Sequence, residues 1–229
     1  MLHGVPNFYD VVSNIPFLIV GALGLYTCMR AELGAAQWAW LVLFIGVTFV
    51  SVGSAYYHWN PNNGSLVWDR LPMTVGFMGL FVALVCEYTN PRIVRMLLIP
   101  AVVFGAATIL YWHLYNDLRF YAWVQFMPVG VVSLLLLLYE PRFTHRRLLV
   151  VALSLYVLAK IAEEFDVAIF SLLNEAVSGH TIKHLFAAAC CYSLVAFLKK
   201  RLPNKSLQQT GNDKVIHQED RWPAAERRR

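Results

Sequence analysis

The chain has 229 residues, 58% hydrophobic and 14% charged, with a formal net charge of +5. A soluble domain carries about 25% charged residues, so the composition excludes an ordinary water-soluble fold and points to one bundle in lipid. Residues 1–198 hold ten Lys/Arg and ten Asp/Glu, whereas 199–229 hold nine and four. The excess is a basic tail with Trp222 as its one aromatic, which does not make a nucleic-acid face.

A helix crosses a bilayer with about 20 mostly apolar residues. Seven stretches qualify in chain order: Val11–Met29, Trp38–Tyr57, Leu71–Tyr88, Val94–Trp112, Phe120–Tyr139, Leu148–Phe165 and Thr181–Leu198. Asn60-Pro61, Asn90-Pro91 and Glu140-Pro141 punctuate three connections, because the residue before proline avoids the helical region. The four cysteines, Cys28, Cys86, Cys190 and Cys191, all lie inside apolar stretches without metal-site spacing. The segment before the first stretch has no basic n-region, so no cleavable signal peptide is expected. The chain is expected to be an all-α membrane protein, a seven-transmembrane helix bundle over 11–198. Residues 1–10 form a short outer N-terminus, and 199–229 a basic, disordered tail.

Orientation follows from the basic residues. Connections after the first, third and fifth stretches carry Arg30, Arg92, Arg95, Arg142, Arg146 and Arg147, and the end of the seventh carries Lys199, Lys200 and Arg201. The other side has only Arg70, Arg119 and Lys183 near its edges. Positive residues stay inside, which predicts an outer N-terminus and a cytoplasmic C-terminus, in the cell membrane if the source is bacterial.

That orientation brings five polar groups to one leaflet. Ser54 and His58 share a helix face four residues apart, and so do His180 and His184. Asp69 opens the third stretch, where a helix-capping role is also open to it. Three imidazoles from packed helices make a zinc-type ligand set with one open position. A carboxylate such as Asp69 is suited to take a proton from water, and Ser54 to donate to a developing oxyanion. In the sixth stretch, Lys160 and Glu164 stand at pairing distance along a helix, and Glu163 or Glu164 is a candidate partner for a ligating histidine. His3, His113, His145 and His217 are read as interfacial. Tyr56, Tyr57, Trp59 and Trp68 fit an aromatic belt.

These pieces resemble the alkaline ceramidase family. They are Ser54-x-x-x-His58 closing the second stretch, Asp69 eleven residues on, and His180-x-x-x-His184 opening the seventh. The stretch Asn7–Asn14 also looks like that family's entry into its first helix. The family belongs to a wider group of seven-helix membrane hydrolases that includes adiponectin-receptor-like proteins. The resemblance implies zinc held by His58, His180 and His184. It implies Asp69 as the group that deprotonates water, Ser54 as a stabiliser, and a ceramide-like membrane lipid as the substrate, cleaved to a sphingoid base and a fatty acid. Eukaryotic members resemble one another in an acidic calcium-binding stretch before the first helix. Here Asp10 is the sole carboxylate in that segment, and Asn7 stands where an acidic ligand is expected. Calcium is therefore not expected, and the chain looks more like bacterial members. The alternative is a receptor-like or haemolysin-like protein of the same group with little or no hydrolysis. A transporter fits least, because the charges gather at one edge rather than at mid-membrane.

Overall fold

The computed structural model describes residues 4–204. Every named element there is a helix: α1 (Phe8–Val12), α2 (Ile15–Arg30), α3 (Gln37–Trp59), α4 (Asn63–Tyr88), α5 (Ile93–Tyr115), α6 (Arg119–Leu138), α7 (Arg147–Glu164), α8 (Asp166–Leu172) and α9 (Gly179–Lys200). Among the described residues, six helices are long and apolar enough to cross a membrane: α1 and α2 together, α3, α4, α5, α6 and α9. The α7 helix has 18 residues and carries Arg147, Lys160, Glu163 and Glu164, so composition alone does not mark it. Bulky apolar side chains such as Phe49, Val52, Ile99, Leu110, Trp123 and Leu137 stand on the outside, as expected where the surroundings are lipid.

The helices alternate between two ends. At one end the C-terminus of α3 meets the N-termini of α4 and α9. Arg70 of α4 stacks on Trp112 of α5 and Tyr121 of α6, at 4.3 and 5.1 Å from the ring centroids. At the other end, Trp40 Nε1 donates to Glu87 Oε1 at 2.7 Å, and the Arg201 guanidinium pairs with the same carboxylate. Arg201 lies 4.2 Å from the Phe143 ring centroid. The chain after α9 then runs along the α6–α7 loop, with Thr144 N–H donating to Leu202 O and Asn204 N–H to Arg142 O, both at 2.8 Å. Residues 199–204 of the expected tail are thus part of the bundle, and 205–229 lie outside the described residues.

The α3–α4 seam is a close approach of two backbones, and small residues make it. A Cβ on Gly53 would sit 1.9 Å from the Trp68 carbonyl oxygen, and one on Gly46 would sit 2.6 Å from Gly76 N. Pro72 lies inside α4 and has no N–H, so the Trp68 carbonyl four residues earlier has no helical donor. That freed carbonyl faces Gly53. Backbones this close are a feature of helices that pack without a water-driven force. The contact sets the residues after Gly53 and Trp68, namely Ser54 and Asp69, beside each other.

The first turn of α4 also corrects one expectation. The helix begins at Asn63 with Asn62 as its cap, through a reciprocal Asn62–Ser65 box, eight residues before the apolar run suggests. Asp69 is therefore nearly two turns inside the helix and does not cap it.

Removing one partner of a buried ion pair leaves the other charge uncompensated. Glu87→Ala is therefore expected to destabilise the folded protein by about 3–5 kcal/mol, while Glu87→Leu with Arg201→Met recovers most of the loss. Melting of the purified protein in detergent checks this. A single variant as stable as wild type would remove the Glu87–Arg201 pair from the account.

Candidate metal centre and its cavity

His58 closes α3, and His180 and His184 stand in the first two turns of α9. One nitrogen from each of the three imidazoles falls within 4.8 Å of the other two. The Nε2 atoms of His58 and His180 are 3.1 Å apart. Two imidazole nitrogens facing each other this closely need a proton or a cation between them. Ligands about 2.0–2.1 Å from one zinc ion stand at a similar separation, so the donor set fits that ion. His58 and His184 are buried, which further disfavours unshared lone pairs.

The third ring is oriented by the N-terminal segment. Ser13 Oγ donates to Asp10 O at 3.0 Å, and its one hydrogen is then used. It lies 2.8 Å from His184 Nδ1, so it accepts from Nδ1–H, leaving Nε2 as the free nitrogen of that ring. Partners of this type fix the tautomer of a ligating histidine. Asn7, in left-handed backbone with φ 44°, donates Nδ2–H to His58 O at 3.0 Å. Asp10 Oδ1 accepts from Ser178 Oγ at 3.0 Å and Thr181 Oγ1 at 2.5 Å. Asp166 Oδ1 accepts the His180 N–H at 2.8 Å. Two carboxylates therefore hold the positive end of α9, the helix that carries two of the three histidines. The stretch Asn7–Asn14 is threaded through the site. Asn7, Asp10, Ser13, Ser178 and Asp166 were not expected there; the polarity of Asn7, Asp10 and Ser13 in the segment before the first long helix was the available signal.

A cavity of about 460 Å³ opens beside this centre. Ser54, Asp69, His180 and His184 line its polar end, with Tyr121, Lys160, Glu163 and Lys183. Leucines and valines of α3, α4, α6 and α7 line the rest, among them Leu43, Leu80, Val132 and Leu149. Asp69 and Ser54 hydrogen-bond through their side chains. His58 approaches from behind, its ring centroid 4.7 Å from that of His180. A shallower apolar recess lies on the outer side of the α6–α7 seam and shares Val129, Tyr156 and Lys160 with the cavity.

The α7 charges take a different arrangement from the one expected. Lys160 pairs with Glu163, three residues on, and not with Glu164. Glu163 also accepts from Lys183 Nζ at 3.1 Å, and Lys183 Nζ lies 3.1 Å from His180 Nε2. Glu163 thus reaches the ligand set through a lysine. Among the other histidines, His145 contacts Thr144 at 2.9 Å at the far end and His113 packs on Trp112. His3 and His217 lie outside the described residues.

The family model described as Ceramidase matches residues 2–224 of the chain. No curated protein matches it.

The geometry predicts the metal content of two variants. His184→Ala is expected to reduce bound zinc to background by elemental analysis. Ser13→Ala, which frees the ring, is expected to weaken zinc affinity by about 10–100-fold in a chelator competition. Wild-type zinc content in His184→Ala would break the assignment of this centre.

Proposed function

This chain belongs to the ceramidase family, and on that premise we propose that it is a zinc-dependent amide hydrolase of the membrane. Its substrate is a ceramide-like N-acyl sphingoid lipid, cleaved to a sphingoid base and a fatty acid. The observation that carries the reading is one cavity with a polar end at Ser54, Asp69, His180 and His184 and an apolar remainder. An amphiphile with an amide at the boundary between head and chain fits such a shape. A metal kept only for structure has no need of a cavity at its ligands, so the enzyme is favoured over the receptor-like alternative.

His58, His180 and His184 hold the zinc. Bound there, zinc supplies Lewis acidity that makes water acidic and polarises a carbonyl. The residues divide the remaining work. Asp69 accepts a proton from water as the water oxygen bonds to the acyl carbon. The C–N bond then breaks, and Asp69 returns the proton to the departing nitrogen, so the amine leaves neutral. Ser54, hydrogen-bonded to Asp69, keeps one carboxylate oxygen aimed into the cavity. This position follows from the Gly53–Trp68 contact.

Membrane placement belongs to the same proposal. The α7 helix runs from the loop tied to Leu202 at one end to Glu163 beside Lys183 at the other. We take it as the seventh crossing, its charges turned to the cavity and the head-group level. Arg30, Arg92, Arg95, Arg146, Arg147, Lys199 and Lys200 gather at the end opposite the metal centre, which favours a cytoplasmic C-terminus and a site in the outer leaflet. The α6–α7 seam, with its outer recess, is the entrance for a lipid arriving sideways.

Asp69→Asn is expected to keep zinc at the wild-type level and lose about 10²–10⁴-fold in kcat on a fluorescent ceramide. Removing zinc with a chelator abolishes the wild-type rate, and adding zinc restores it. Full activity in Asp69→Asn, or indifference to the chelator, would overturn the mechanism.

A further inference from the structure

Among the described residues, Lys183 is the one ammonium that touches both the histidine centre and the cavity. Its Nζ lies 3.1 Å from Glu163 Oε1, 3.1 Å from His180 Nε2 and 3.3 Å from His180 Nδ1. Its side chain retains 20% of its exposure, and it lines the cavity. An ammonium carries three donors and no acceptor. One goes to Glu163. The His180 ring is the other nearby acceptor, and that ring is also a member of the metal cluster.

A neutral imidazole that gives one nitrogen to a metal carries its proton on the other, so neither nitrogen accepts a hydrogen bond. When His180 serves as a ligand, Lys183 loses its acceptor there. Its remaining donors then face the cavity beside the ligating nitrogen. Among the other anions nearby, Glu163 is shared with Lys160, and Asp10 and Asp166 hold the start of α9. Asp69, bonded by Ser54, also feels the Lys183 charge, but it loses its own charge when it takes the proton from water. A cation in a largely apolar cavity is stabilised by an anionic oxygen, and at that step the oxygen that becomes negative is the substrate's.

We propose that Lys183 is a catalytic residue of the reaction above, on whose reading this rests. Its ammonium donates to the acyl carbonyl oxygen as the carbonyl π pair moves onto that oxygen, and stays on that oxygen as the C=O bond re-forms in the released carboxylic acid. It keeps its own protons throughout, and Asp69 carries the proton from water to nitrogen. Glu163 is a positioning residue that aims the ammonium, and Lys160 holds Glu163 from the entrance side.

The test uses full-length, zinc-loaded protein in detergent with a fluorescent ceramide. Lys183→Met is expected to keep zinc and its melting temperature, leave KM within about threefold and lower kcat by about 10²-fold. Lys183→Arg, which retains charge and donors, recovers at least about tenfold of that loss. The proposal is overturned if kcat of Lys183→Met stays within about threefold of wild type, if zinc loss accounts for the whole defect, or if arginine rescues nothing. Binding of oleate is measured in parallel. Affinity about tenfold weaker in Lys183→Met and restored in Lys183→Arg supports the site, and equal affinity overturns it. If the wild type releases no fatty acid from ceramides, the amidase reading fails, and the oleate titration still decides the role of Lys183.

Discussion

Two imidazole nitrogens 3.1 Å apart, on helices separated by more than a hundred residues, set the terms for the rest of this bundle. Lone pairs that close repel one another, and burial removes the water that would relieve them. The arrangement holds only if α9 cannot slide or turn against α3. The N-terminal segment supplies that restraint. Asn7 holds the last turn of α3, Asp10 the first turn of α9, and Ser13 the ring of His184. Three residues before the first long helix thereby fasten the two helices that carry the cluster. The same segment commits its carboxylate to α9.

The opposite end of the bundle serves the same constraint at a distance. The Glu87 carboxylate joins α3 through Trp40 and the end of α9 through Arg201. A helix of 22 residues fixed at both termini has little freedom of rotation, so the register of His180 and His184 is fixed twice. Between the ends, the glycine seam brings α3 and α4 together without side chains. The carbonyl freed by Pro72 marks where they meet. Ser54 and Asp69 owe their neighbourhood to this backbone contact more than to their own hydrogen bond.

The parts of this site that were legible in the sequence share one property. Ser54, His58, Asp69, His180 and His184 are polar groups at the edge of apolar stretches, where a polar side chain is costly and stands out. Regular i, i+4 spacing then gave the shared faces. Helix existence was legible for the same reason, and α3, α5 and α6 begin and end within a few residues of the apolar runs. The start of α4 was not, because its first turn, Asn63-Gly64-Ser65, is polar and reads as loop. The partners of the site were not either. Asn7, Asp10 and Ser178 lie in segments where polar residues are ordinary, and their roles depend on which helix end comes near. Glu163 shows the limit plainly. Spacing offered Lys160 a partner four residues away, and Lys183 on another helix drew the pairing to Glu163 instead.

The distribution of charge in the cavity gives the arrangement its chemical sense. Toward the bundle centre the walls are leucine and valine, and toward the head-group end stand three cations, Arg70, Lys160 and Lys183, against Asp69 and Glu163. Arg70 packs on the faces of Trp112 and Tyr121, and its buried Nη1 has no hydrogen-bond partner. The two lysines share Glu163, and the three cations exceed the two carboxylates by one, even before a metal adds its own. A neutral amide entering such a place is bound weakly in its ground state. It is bound more strongly as its oxygen becomes negative, and that difference is what accelerates a reaction. In the proposed reaction the apolar wall would hold the acyl chain equally well at every stage and contribute affinity without rate. Binding and rate enhancement would then fall to opposite ends of one cavity, joined by Glu163 of α7 and Lys183 of the ligand helix α9.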